Sequence, residues 1–123
     1  MPELSLVLES SSCLPGGNLR GRISWDCAKT PRRLILALKW RTEGRGNAES
    51  GCVGELHLPC RAAKGEAEFE LEIPPRIPPS YRGRLVSILW QIEARADLAF
   101  AFDCEISRDI DILGVVSPEP GGR

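Results

Sequence analysis

Side chains along a β-strand point alternately to opposite faces, so a half-buried strand alternates apolar and polar residues. That period of two dominates this chain. Leu4, Leu6 and Leu8 alternate with Glu3, Ser5, Val7 and Glu9. After the turn Leu14-Pro15-Gly16-Gly17-Asn18, residues Leu19, Gly21, Ile23, Trp25 and Cys27 alternate with Arg20, Arg22, Ser24 and Asp26. Leu34, Leu36, Leu38 and Trp40 share one side of a third strand, and Ala67, Phe69, Leu71 and Ile73 share one side of another. Val86, Ile88, Trp90, Ile92 and Ala94 mark a long strand, as do Phe100, Phe102, Cys104, Ile106, Ile110 and Ile112. No stretch carries a helical period.

Turn residues separate these runs. Pro31 breaks the chain, residues 42–51 are polar and glycine-rich, and a short strand from Val53 stops at Pro59. The segment 74–83, with four prolines, excludes helix and central strand. Seven or eight such strands predict an all-β, immunoglobulin-like antiparallel sandwich. Strands 3–9, 18–27 and 66–73 are assigned to one sheet. Strands 32–42, 84–95 and 100–113 form the other, with 52–58 at an edge. Charge supports this order. It pairs 18–27, with Arg20 and Arg22 outward, against 66–73, whose outward face is the ladder Glu66, Glu68, Glu70 and Glu72. Opposite charges on neighbouring strands contribute roughly 0.2–1 kcal/mol per pair, whereas an unaccompanied glutamate ladder repels itself.

At 123 residues the chain has the length of one domain. We assign residues 1–113 to it and 114–123, rich in proline and glycine, to a flexible tail. Sixteen basic against seventeen acidic residues leave a net charge of −1, which does not suit a nucleic-acid partner. A single histidine disfavours most acid–base and metal chemistry. No run is apolar enough for a membrane span, and the first residues have no signal-peptide character. Five cysteines (Cys13, Cys27, Cys52, Cys60 and Cys104), an odd number, then read as reduced thiols in a cytoplasmic protein.

These residues resemble a known family. Leu14-Pro15-Gly16-Gly17-Asn18-Leu19-Arg20-Gly21-Arg22-Ile23 is similar to the opening turn and second strand of arrestin-like domains. Ile77-Pro78-Pro79-Ser80-Tyr81-Arg82-Gly83, with the strand after it, resembles the family's second signature, and Ala96-Asp97 followed by Phe100 and Phe102 resembles its next hairpin. The resemblance covers roughly residues 4 to 113 and is to the amino-terminal half of proteins that carry two such sandwiches. It implies a non-catalytic adaptor or scaffold module that binds a protein partner or a second copy of itself. No cofactor and no small-molecule substrate are expected. The alternatives are a structural subunit of a larger assembly and a small cysteine-dependent enzyme or redox protein.

Several motifs have plainer readings. Pro78-Pro79-Ser80-Tyr81 matches the ligand of WW domains, but it lies in the loop-to-strand signature, where Tyr81 is expected to pack over the end of the sandwich. Cys52, His57 and Cys60 suggest zinc or a nucleophilic dyad, yet alternation turns His57 away from Cys60 and a fourth ligand is missing. Asp103, Glu105, Asp109 and Asp111 are spread along a strand, unlike a calcium loop, and read as a solvated face. Arg108 falls in phase with core residues. A buried arginine must be paired, and the resemblance implies that such a charge acts as a conformational latch. A bulge near Ser107 or a sheet end would instead leave it in water. Finally, Ile35, Ala37, Leu85 and Leu89 are apolar at outward positions among Lys39, Arg41, Gln91, Glu93 and Arg95. That combination marks a candidate partner or dimer face, against the plainer reading of scattered surface residues.

Overall fold

The computed structural model describes residues 3–44, 46, 48–83, 85–98 and 104–114. Phe100, Phe102, Asp103 and the tail beyond Gly114 lie outside the described residues. The described residues form nine strands and no helix: β1 (Glu3–Leu8), β2 (Ser12–Cys13), β3 (Asn18–Asp26), β4 (Arg33–Gly44), β5 (Ser50–Pro59), β6 (Lys64–Glu72), β7 (Tyr81–Arg82), β8 (Val86–Asp97) and β9 (Cys104–Ile112). They make an all-β sandwich. One sheet has the order β1-β3-β6, and the other runs β2-β9-β8-β4-β5, with β7 also paired to β8. The long strands fall into the two sheets that the immunoglobulin-like order assigns them to. Every pairing is antiparallel except that of β2 with the end of β9, which is parallel.

The core lies between the sheets. Leu6, Leu19 and Ile23 from one sheet, and Leu34, Leu36, Leu38, Ile92 and Ile112 from the other, are each at most 2% exposed. Each such burial contributes roughly 1.5–3 kcal/mol. Large side chains face small ones across the strands, with Leu34 opposite Ala96 and Leu36 opposite Ala94.

Three glycines admit aromatic rings on this inner side. Gly21 lies directly across from Phe69, Gly65 from Trp25 and Gly51 from Trp40. A Cβ on Gly21 would stand 2.9 Å from the Phe69 ring, one on Gly65 2.9 Å from the Trp25 indole, and one on Gly51 2.8 Å from the Trp40 indole. The indole N–H of Trp25 donates to the Ala62 carbonyl at 2.9 Å, and that of Trp90 to the Pro78 carbonyl at 3.0 Å. Both connectors are thereby tied to the core, and neither buried indole is left without an acceptor.

On the outside of the smaller sheet the charges meet as predicted. Arg20 is in register with Glu70 and Arg22 with Glu68. Their closest N–O distances are 3.2 and 3.1 Å, and Arg22 also reaches Glu66 at 3.9 Å. All are exposed, so each pair contributes only a few tenths of a kcal/mol.

Three features differ from the sequence reading. The polar loop 42–51 is shorter, because the β4–β5 hairpin continues to a hydrogen bond from Thr42 N to Glu49 O at 2.8 Å and another from Glu49 N to Thr42 Oγ1 at 2.9 Å. β2 and β7 are extra strands, each of two residues, too short to carry a period. Tyr81 does not pack over the end of the sandwich: it is 54% exposed, because its ring lies against Gly83 at the β7–β8 corner.

The close approach at Gly21 carries a test. Gly21→Ala would drive its methyl into the Phe69 ring and the Val7 carbonyl. We expect a loss of about 1–3 kcal/mol in urea unfolding with an unchanged m-value.

Candidate functional site

The outward face of β4 and β8 is where the sequence places a partner surface, and the structure divides its members. Ile35 and Ala37 are each only 4% exposed, although both point away from the core. Ile35 lies between His57 on β5 and Arg95 on β8, and Ala37 lies between Glu55 and Glu93. The stems of these long side chains cover the small apolar strip. Polar contacts hold part of the cover in place. Lys39 Nζ is 2.6 Å from Glu93 Oε1, Arg41 Nη1 is 3.3 Å from Gln91 Oε1, and Arg41 Nε is 3.1 Å from Glu43 Oε2. Leu89 is half-buried beside Arg41, four residues from Glu93, or about 13 Å along the strand. Leu85 lies beyond the start of β8 and is 65% exposed. The four residues therefore do not form one exposed patch. Alternation gives the side on which a residue lies, but not how far its neighbours reach over it.

A different apolar surface lies at one end of the sandwich. β4 and β8 have twelve residues each, whereas β3 and β6 have nine and β1 six. The larger sheet overhangs the smaller, and the proline-rich segment covers part of the excess. A recess of about 220 Å³ remains there, lined by Trp40, Thr42, Val53, Pro78, Ile88 and Trp90. Tyr81 pairs across from Ile88, and Val86 across from Gly44, at the same end. Val53, Val86, Tyr81 and Leu85 are 37%, 41%, 54% and 65% exposed. The sequence reading missed this surface. Its one signal was that core-phase residues continue along β4 and β8 further than the facing strands extend.

Arg108 is not a buried charge. It is exposed, and its guanidinium donates to the Ser107 carbonyl at 3.1 Å. The β8–β9 register runs unbroken from Cys104 to Ile110, so no bulge turns it outward. β9 lies near the rim of its sheet, and β2 flanks only Asp111 and Ile112. The long side chain reaches past that open rim to water.

The Pro78–Tyr81 motif is tied down by its backbone. Pro78 O accepts from Trp90, Ser80 N donates to Ile112 O at 2.8 Å, and Ser80 Oγ accepts from Ile112 N at 2.9 Å. His57 faces outward beside Glu55 and away from Cys60, which packs against the core. Glu105, Asp109 and Asp111 are exposed along β9. Among the described residues, no three His, Cys, Asp or Glu side chains converge in a way that could hold a metal ion.

All five cysteines are thiols, none in a disulfide. Burial pushes the Cys13 thiol up from its ordinary value. Burial also raises that of Cys27, with further contributions from Cys104, Cys60 and Asp26. These environments disfavour the thiolate, the opposite of an activated nucleophile.

Two tests follow from this geometry. Ile35→Ala should lower stability by about 2–4 kcal/mol, because it empties a covered site. Leu85→Ala should change it by no more than about 0.5 kcal/mol. Equal effects in urea unfolding would contradict the difference in burial. In native-state alkylation resolved by mass spectrometry, exposed Cys52 should react first and Cys27 last. Raising the pH should accelerate Cys27, whose thiol burial pushes up from its ordinary value, while a disulfide found at any of the five would contradict the assignment.

No family model matches the sequence, and no curated protein matches it. The fold does have a counterpart among solved structures. The sporulation control protein Spo0M from Bacillus subtilis, which has an arrestin-like fold, superposes with a TM-score of 0.76 at 14% sequence identity. The match covers 93% of this chain and 50% of the Spo0M chain. This chain therefore has the sandwich architecture of an arrestin-like protein and spans about half the length of that neighbour.

Proposed function

We propose that this chain is a non-catalytic, arrestin-like protein-interaction module, and that its partner contacts the apolar overhang. The carrying observation is the overhang itself, where Tyr81 and Val86 stand exposed at the end that holds a recess built on two tryptophans, with Leu85 exposed just before the start of β8. Exposed apolar groups gathered at one place suit the desolvated centre of a protein contact. The likeness to a protein described as a sporulation control protein supports a regulatory, non-enzymatic role. The raised thiols speak against the cysteine-enzyme alternative. Five thiols without a disulfide suit a cytoplasmic location. No helix among the described residues is long and apolar enough to cross a membrane.

Leu85→Asp tests the reading, since Leu85 is exposed and its replacement should leave the fold intact. Cross-linked capture from source cells, quantified against wild type, should fall about tenfold or more in the variant, with an unchanged circular dichroism spectrum. Capture unaffected by Leu85→Asp and by Tyr81→Ala would overturn the overhang as the contact.

A further inference from the structure

We propose that the free edge of β5 recognises a second copy of this chain, the two β5 strands pairing antiparallel about a two-fold axis at Leu56. The proposal deepens the interaction-module reading by naming one partner, and it uses a surface separate from the overhang.

β5 is the last strand of its sheet, and no other strand among the described residues pairs with its far side. Such an edge offers a row of backbone N–H and C=O groups to an incoming strand. Natural edges are usually guarded by lysine, proline or a bulge. Here Pro59 stands at the end of β5, and the bulge lies where Val53 is skipped opposite the Leu38–Lys39 step. Between them, Gly54–Leu58 is in regular register with β4 and carries no basic residue except His57. The edge of β6 is different. Its outward residues are Glu66, Glu68, Glu70 and Glu72, so two β6 edges would set glutamate against glutamate.

Symmetry selects the register. A two-fold axis perpendicular to the sheet must place like faces opposite one another, so it passes through a residue pair. With the axis at Leu56, Glu55 of each copy faces His57 of the other. Moving it to Glu55 sets Glu55 against Glu55, and moving it to His57 sets His57 against His57. Within one chain, Glu55 Oε1 already lies 3.1 Å from His57 Nε2, and both side chains are about half exposed, at 50% and 47%. Pairing therefore builds a cluster of two carboxylate acceptors and two imidazole donors.

The core side of the strand fits the same axis. Leu56 is half-buried and meets Leu56 of the second copy. Gly54 faces Leu58 of the second copy, and nothing lies within 4 Å of where a Gly54 Cβ would stand, so that leucine has room. The result is one continuous sheet across two sandwiches. A contact of this length is smaller than a standard interface, so the dimer is of the weak, exchanging kind.

Sedimentation of the purified full chain over a concentration series tests the pairing. Wild type should shift reversibly from monomer to dimer. His57→Glu sets like charges opposite at both ends and should weaken association about tenfold. Glu55→Lys places a cation opposite His57 and should also weaken it. The double variant Glu55→Lys/His57→Glu restores unlike pairs and should recover association to within about threefold of wild type. Both positions are exposed, so circular dichroism should stay unchanged in all variants. Leu85→Asp should dimerise as wild type does. A monomer at every concentration, a His57→Glu variant that associates normally, or loss of association in Leu85→Asp would each overturn the pairing. The first two leave capture through the overhang standing, whereas failure of capture with intact self-association would count against the overhang alone.

Discussion

Direct cross-strand placement of an aromatic ring over a glycine sets the interior geometry of this sandwich. It occurs at Phe69 over Gly21, Trp25 over Gly65 and Trp40 over Gly51. A strand glycine weakens its strand when isolated, because it has no side chain to pack. Here the missing side chain is the space that a ring from the neighbouring strand fills. Each pair fixes a register, since a slip of one residue would carry the ring to the other face. Trp25 then reaches the 60–63 connector through its indole N–H, and Trp90 holds the proline-rich segment in the same way. The interior thus positions the two connectors as well as the sheets.

The two outer faces use charge in different ways. On the smaller sheet, Arg20 and Arg22 meet the glutamate ladder as exposed pairs that neutralise a repulsive row but add little stability. On the larger sheet, Lys39 and Glu93 form a closer, less exposed pair above a strip that includes Ala37. Alkyl stems dry that strip while the charged ends remain at the surface. One face is a solvated lattice of charges. The other is a thin secondary core roofed by polar side chains.

Much of the fold was legible in the residues because alternation and charge gave concordant answers. The phase of Leu34, Leu36 and Leu38 identifies a core strand, and Arg20 and Arg22 against Glu70 and Glu68 identify two neighbouring strands of the other sheet. Coverage was not legible. Ile35 has the phase of a surface residue and the burial of a core residue, because cover depends on neighbours that come from β5 and β8. Arg108 shows the converse, with core phase at an open rim. The recess required comparing strand lengths between sheets, and sequence patterning sets element ends far less sharply than element identity. β2 is held by pairing with β9, distant in the sequence, which no local pattern records, and β7 is one short arm of a tight hairpin with β8, too brief to carry a period.

The overhang has a dynamic consequence. Backbone amides exchange with solvent through local openings whose free energy follows the burial around them. Along β8, Ala94 and Ala96 are fully enclosed, Ile88 is partly buried and Val86 is 41% exposed. Along β4, Leu34, Leu36 and Leu38 are fully enclosed, whereas Thr42 and Gly44 lie beyond the fully enclosed stretch. Protection therefore grades along two strands that remain continuously hydrogen-bonded. One end of the sheet opens only with global unfolding, and the other opens locally at much lower free energy. A single sheet thereby combines a fixed foundation with an adaptable rim, and the rim bears the exposed apolar side chains.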